Sequence, residues 1–158
     1  MIDTNVNLPN GIEKRVFNQI MKYGERTFLG KVVEFSRPMT NSFLIGWAGY
    51  IFDPNKKRYV SMTNFSPFGL FVEDEEKRKG LGKVLLLELF KELRKNKINH
   101  ITFEGLRSLK NFSPEESNVG FYRKALDYAQ LHGLISKYLI LENSRRKNQG
   151  VYDAEVYL

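Results

Sequence analysis

The chain has no cysteine among its 158 residues. That removes disulfides, thiolate metal sites and a cysteine nucleophile together. Histidine is nearly as scarce: His100 and His132 are the only two, and their spacing makes no metal-binding pair. Each reads as an ordinary half-exposed residue, and no metal site is expected. No apolar run approaches the roughly 18 residues that a membrane span requires. The opening MIDTNVNLPNGIEKR also lacks the basic-then-apolar order of a secretory signal. A cytoplasmic protein with no membrane partner is the expectation.

What is present fits one domain spanning residues 1–158 with a core of useful size. Twelve Phe and eight Tyr suit a sheet-rich interior. The net charge of +7 favours an anionic partner: nucleic acid, a phosphate-bearing cofactor or an acidic protein. Charge alone does not choose among them.

Along the chain, Ile12, Val16, Ile20 and Tyr23 recur at helical spacing, so residues 12–23 predict a short amphipathic helix stopped by Gly24. TFLGKVVEFS, FLIGWAGYIF, RYVSMTNF and FGLFVE then read as about four strands of an antiparallel meander, with DPNKK as a hairpin turn. The period switches at Leu81. Leu81, Leu85, Leu86, Leu89, Phe90 and Leu93 line one face of residues 81–96, while Lys83, Glu88, Lys91, Glu92 and Lys95 fall largely on the other. INHITFEGL is the next strand, and residues 113–131 read as a helix with Ser113 as N-cap and Pro114 at its first position. KYLILE and VYDAEVYL close the chain as two strands. The expected fold class is α+β.

Between FGLFVE and the leucine helix lies EDEEKRKGLGK, residues 73–83, with Gly80 and Gly82 amid Lys77, Arg78, Lys79 and Lys83. The first turn of a helix has unpaired N–H groups and a partial positive charge, and glycine lets backbone approach a ligand. The segment matches neither a P-loop nor a dinucleotide fingerprint. An anion, most simply a phosphate, suits it.

The stretch VEDEEKRKGLGKVLLLELFKEL resembles the pyrophosphate-binding signature of the GNAT superfamily of acyl-CoA N-acyltransferases, Arg/Gln-x-x-Gly-x-Gly/Ala. Gly80 and Gly82 match, and Lys77 stands at the Arg/Gln position. About forty residues on, Asn118-Val119-Gly120-Phe121-Tyr122-Arg123-Lys124 is similar to the Asn-x-x-Phe-Tyr-x-Lys of many members. The resemblance implies a GNAT-type fold: a mostly antiparallel twisted sheet of six to seven strands flanked by helices, splayed between the fourth strand, FGLFVE, and the fifth, ITFEGL. It implies acetyl-CoA as cofactor and direct transfer of its acetyl group to an amine, whether a small molecule, a peptide N-terminus or a lysine. The amides of residues 78–83 (Arg78, Lys79, Gly80, Leu81, Gly82, Lys83) and Lys77 would hold the pyrophosphate. The backbone of Leu70, Phe71 and Val72 would pair with the pantetheine arm. Asn118 would bond that arm, and Tyr122 would sit by the thioester sulfur, where a phenol can protonate a departing thiolate. Glu104 is the candidate base for the acceptor amine, with Glu73 and Asp74 behind it. The acidic run 73–76 otherwise reads as a solvated turn.

Two departures limit what carries over. The last helix runs on as ALDYAQLHGL where most relatives turn into a strand, so the acceptor pocket is expected to be rebuilt. GLRSLKNFSPEES is also long for its place and could serve as a lid or acceptor-binding loop, with a basic rim from Arg107, Lys110, Arg145, Arg146 and Lys147. A member that acts on or binds aminoacyl-tRNA is a second reading, suited by the positive charge. A non-catalytic CoA-binding or regulatory domain is a third. A homodimer is compatible with the resemblance.

Overall fold

The computed structural model of the chain describes residues 8–9, 11–38, 43–62, 69–73, 76–77 and 79–158. These form eight strands and two helices. The first five strands are β1 Glu13–Tyr23, β2 Arg26–Arg37, β3 Phe43–Asp53, β4 Arg58–Met62 and β5 Leu70–Val72. After them come α1 Leu81–Lys95, β6 His100–Arg107, α2 Val119–Leu131, β7 Lys137–Glu142 and β8 Val151–Tyr157. The sheet order is β1-β2-β3-β4-β6-β8-β7, with β5 on β3. Every pairing is antiparallel except β4 with β6. The α+β class and the mostly antiparallel sheet stand as read; the strand count is higher than six to seven.

One extra strand comes from the first segment. Residues 13–23 form β1, not a helix, and pair residue for residue with β2 from Glu13↔Ser36 to Tyr23↔Arg26. The apolar residues at 12, 16 and 20 recur every four positions. Four is close to one helical turn and is also twice the strand period, so both geometries put them on one face. Gly24, at φ 62°, ends the element as a hairpin turn between the strands.

The meander differs in its pairing, not in its number of strands. RYVSM and LFV do not follow one another as antiparallel neighbours. Both lie along β3 in the same direction, Ile51↔Val60 through Asp53↔Arg58 for β4 and Gly46↔Val72 through Ala48↔Leu70 for β5. The DPNKK hairpin forms as read, with Lys57 at φ 52° in its turn. A Cβ at Gly46 would lie 2.2 Å from the Phe71 carbonyl oxygen, so only glycine lets β5 seat there.

The second helix starts later than the sequence suggests. Its N-cap is Asn118, and Ser113 instead closes a turn in which its hydroxyl donates to Glu116 Oε1 at 2.9 Å.

Both helices cover one face. Phe103 of β6 meets Phe90 of α1 and Tyr122 of α2, with centroids 6.0 and 5.5 Å apart, so the two helices share its side of the sheet. Leu85, Leu86, Leu89, Phe90 and Leu93 are fully buried there, each contributing about 1.5–3 kcal/mol of transfer free energy. Glu88 and Glu92, assigned to the solvent side above, are buried as well. Lys14 of β1 reaches both, at 2.7 and 3.5 Å, because β1 extends the sheet beneath that flank of α1. The opposite face carries no helix among the described residues, only a small cluster of Ile51 and Val60 with Phe28 and Met62. Among the described residues no helix is long and apolar enough to cross a membrane.

Candidate active site

The sheet opens at one place. β4 and β6 run parallel from Tyr59↔Ile101 to Met62↔Glu104. Past that rung the chain returns to β3 as β5, which pairs with β3 alone among the described residues. β6 meanwhile bends away at a bulge between Phe103 and Leu106, where Gly105 has φ 81° and its N–H donates to Asp153 Oδ1 at 3.1 Å. Bulges re-aim strands in this way beside functional sites. The splay expected between FGLFVE and ITFEGL is therefore present as a wedge between β5 and β6, with Glu104 at its apex. Leu70, Phe71 and Val72 line one side. Their β3 edge is paired, and Phe71 stacks on Trp47 with centroids 4.4 Å apart.

The glycine loop lies at the start of α1. Gly80 is its N-cap in the left-handed region, φ 76° and ψ 6°, and a Cβ there would meet none of the described residues within 4 Å. Among the described residues the helix has neither a side-chain cap nor an acidic residue in its first turn. Its leading N–H groups are thus left for an outside acceptor. Gly82 has a different reason. A Cβ there would sit 3.2 Å from Phe121 Cζ and 3.6 Å from Val72 Cγ2, so this glycine lets α1 pack against α2 and β5. Leu81 is buried, Lys77 and Lys79 are exposed, and Arg78 and Asp74 lie outside the described residues. Lys83 turns toward α2, its Nζ 4.2 Å from the centre of the Tyr128 ring.

Glu76 corrects the reading of the acidic run as a solvated turn. It is buried and takes Arg37 in two hydrogen bonds, 3.2 and 3.0 Å, with Lys79 Nζ at 3.2 Å. The loop is thereby tied to the end of β2. The Arg37 guanidinium, helped by Lys79, holds the Glu76 carboxyl below its ordinary value of 4.5. A depressed folded-state value means that this pairing stabilises above the unfolded value and is lost as pH falls through the folded one. Glu76→Gln is therefore expected to lower the melting temperature at pH 7, with the gap to wild type closing as pH drops below about 4. A gap that stays constant from pH 7 to 3 would exclude the ion pair as its source.

At the start of α2, the Asn118 Oδ1 accepts the Arg107 N–H at 2.7 Å, and the Asn118 N–H donates to the Arg107 carbonyl at 2.9 Å. The residue locks α2 to the end of β6. With its oxygen engaged by a donor, its amide nitrogen is the group left to face a ligand. Tyr122, one turn on, is 2% exposed between Phe103 and Phe121. No hydrogen bond to its hydroxyl forms among the described residues. Burial pushes its phenol well above the ordinary value, so it stays protonated at neutral pH.

The helix-free face holds what the sequence did not disclose. Glu104 Oε1 accepts from Lys56 at 2.7 Å and from Arg58 at 3.1 Å. Arg58 continues to Glu155 at 3.5 Å, which meets His100 Nε2 at 2.6 Å and Thr102 Oγ1 at 3.0 Å. Beside this row is a cavity of about 510 Å³ lined by Lys56, Arg58, Glu104, Asn143, Arg145, Arg146 and Asp153. A second of similar volume, about 510 Å³, shares Lys56, Met62, Glu104 and Arg145 and adds Arg26 and Phe28. The sequence suggests Arg145 and Arg146 as part of a basic rim, but nothing local in it ties them to Glu104. Glu73 instead continues the β5 ladder, its N–H donating to the Ile45 carbonyl at 2.8 Å. Among the described residues no group of His, Asp and Glu is placed to hold a metal.

No family model matches the chain, and no curated protein matches its sequence. Solved structures do match in fold. A protein described as a GNAT-family acetyltransferase from Desulfovibrio desulfuricans aligns over 82% of this chain and 68% of its own, with 18% identity and a TM-score of 0.51. The PaiA N-acetyltransferase from Thermoplasma acidophilum, solved with coenzyme A, aligns over 80% and 60% at 17% identity, TM-score 0.50. Diaminobutyrate acetyltransferase from Paenibacillus lautus, solved with L-2,4-diaminobutyric acid and coenzyme A, aligns over 81% and 69% at 13% identity, TM-score 0.51. The chain thus spans about two thirds of the length of these proteins. Its fold is that of the GNAT acetyltransferases.

Proposed function

We propose that the protein is an acyl-CoA-dependent N-acyltransferase that passes an acetyl group from acetyl-CoA directly to an amine. The observation that carries this reading is the wedge between β5 and β6, open beside an uncapped helix N-terminus. The residues present fit the cofactor. The leading amides of α1, with Lys77 and Lys79 around them and Gly80 keeping the approach clear, suit a pyrophosphate. The outer edge of Leu70–Val72 suits the amides of a pantetheine arm, and Asn118 would add a donor from the opposite side. Arg78 belongs to the same loop in the sequence. Acetyl-CoA supplies an activated acyl group as a thioester.

The chain's own residues would do the rest. An amine attacks only when unprotonated, so a base must take its proton directly or through water. Glu104, at the apex of the wedge and on the cavity side, is the base in this reading. Nitrogen bonds to the acyl carbon, the carbon–sulfur bond breaks, and the sulfur leaves as a thiolate that needs a proton. Tyr122, kept neutral by burial, is the donor. Without cysteine, no thiol-bound acyl enzyme enters the scheme.

The test is thermal unfolding with saturating acetyl-CoA, free coenzyme A and ATP. A ligand at a hundred times its dissociation constant stabilises by about 2.7 kcal/mol. That shifts the midpoint by several degrees in a domain of this size. Larger shifts with both CoA species than with ATP are expected. Equal shifts, or none, would remove the cofactor assignment.

A further inference from the structure

The cavity beside Glu104 has an unbalanced charge, and the imbalance is specific. Its carboxylates are all engaged. Glu104 is held by Lys56 and Arg58. Asp153 accepts from both the Gly105 N–H and the Asn143 amide at 3.0–3.1 Å. Its cations are not all engaged. Among the described residues, neither Arg145 nor Arg146 forms a side-chain hydrogen bond or ion pair, although both line the cavity.

The backbone of the turn that carries these two arginines is held in place. The Asn143 Oδ1 accepts the Arg145 N–H at 3.0 Å, and the Asn143 carbonyl accepts the Arg146 N–H at 3.1 Å. Asn143 is itself bonded to Asp153, so the β7–β8 turn is held against the cavity from within. Two guanidiniums on a held turn, facing carboxylates already spoken for, leave room for one kind of guest. Arginine's planar fork matches carboxylate and phosphate oxygens in pairs.

We propose that the acceptor taken by this site is a small amine that also carries an oxyanion, a carboxylate or a phosphate, held by Arg145 and Arg146 with its amino group directed to Glu104. The inference rests on the acyltransferase reading, which supplies the reaction and the place where the amine must arrive. The oxyanion fixes the far end of the acceptor, and Glu104 receives the near end. A polyamine without an oxyanion would place its second ammonium beside the unpaired Arg145 and Arg146, where like charge disfavours it.

The experiment is calorimetric titration of the coenzyme A-loaded protein with L-glutamate, O-phosphoethanolamine and putrescine. Wild type is expected to bind at least one of the first two and not putrescine; which of the two binds tighter separates carboxylate from phosphate. Arg145→Gln with Arg146→Gln is expected to weaken that binding at least tenfold while leaving coenzyme A affinity unchanged. Both positions are exposed turn residues, so the fold should survive, and the unchanged coenzyme A affinity verifies it. Binding of putrescine as tight as that of the oxyanion probes would overturn the proposal. So would full affinity in the double variant, or no binding of either oxyanion probe. A short RNA that displaces the probes and is lost in the same variant would overturn the small-acceptor assignment in favour of a polyanion. Coenzyme A is titrated first and alone, so its failure to bind sinks the acyltransferase reading, and this one with it, separately from any failure of the amines.

Discussion

Gly80→Asp is expected to lower coenzyme A affinity at least about a hundredfold, or about 2.7 kcal/mol, while leaving the protein folded. Among the described residues nothing lies within 4 Å of a Cβ at this position, so none of them blocks the substitution. Its cost is the left-handed backbone, about 1–2 kcal/mol for an ordinary residue and less for aspartate. A carboxylate beside the uncapped amides of α1 returns about 0.3–1 kcal/mol. Stability should therefore change by no more than about 1 kcal/mol, read by melting temperature. The same carboxylate opposes an incoming pyrophosphate and competes for its donors. Gly80→Asn, nearly isosteric and uncharged, is expected to keep most of the affinity. Equal losses in the two variants would point to backbone geometry rather than charge. Retained affinity in Gly80→Asp would take the loop out of cofactor binding. Gly82 makes a poorer probe, because any side chain there also displaces Phe121.

Tyr122→Phe is expected to lower kcat about a hundredfold, the scale of losing a general acid, with coenzyme A affinity and melting temperature near wild type. The ring contacts to Phe103 and Phe121 remain in the variant. The hydroxyl removed has no hydrogen-bond partner among the described residues, so its loss orphans nothing in the fold. Single-turnover rates separate this from a binding defect. Unchanged turnover would end the assigned role. A fall in coenzyme A affinity with kcat unchanged would recast the residue as a cofactor contact.

The residues that could be read without the structure are those whose roles are local. The α1 stripe from Leu81 to Leu93 declares itself through its period, because a helix places residues three and four apart on one face. The glycine loop before it and the Asn118 to Lys124 segment were legible as contiguous patterns. Even there, neighbours settled the reasons. Gly80 supplies a left-handed turn, whereas Gly82 is small because Phe121 and Val72 approach it. Asn118 spends its oxygen on Arg107, eleven residues away, which no pattern of spacing states.

What misled was degenerate in one dimension. Apolar residues at 12, 16 and 20 satisfy a helix and a strand equally, and pairing with β2 decided for the strand. That decision buried Glu88 and Glu92 under Lys14 and altered the polar side of α1. Likewise RYVSM and LFV each look like a whole strand, and only their shared register on β3 shows them to be two parts of one line.

The sequence by itself determined the helix, the loop that opens it, and the charge and residue types available for chemistry. It did so because those features depend on neighbours within a few residues. Only the tertiary structure decided where the sheet opens and what surrounds the opening. Lys56, Glu104, Arg145 and Asp153 lie far apart in the chain and meet because β4, β6 and β8 are adjacent in the sheet. Adjacency of strands is set by the burial of one shared face against α1 and α2, a sum over the whole core that no single stretch of residues contains.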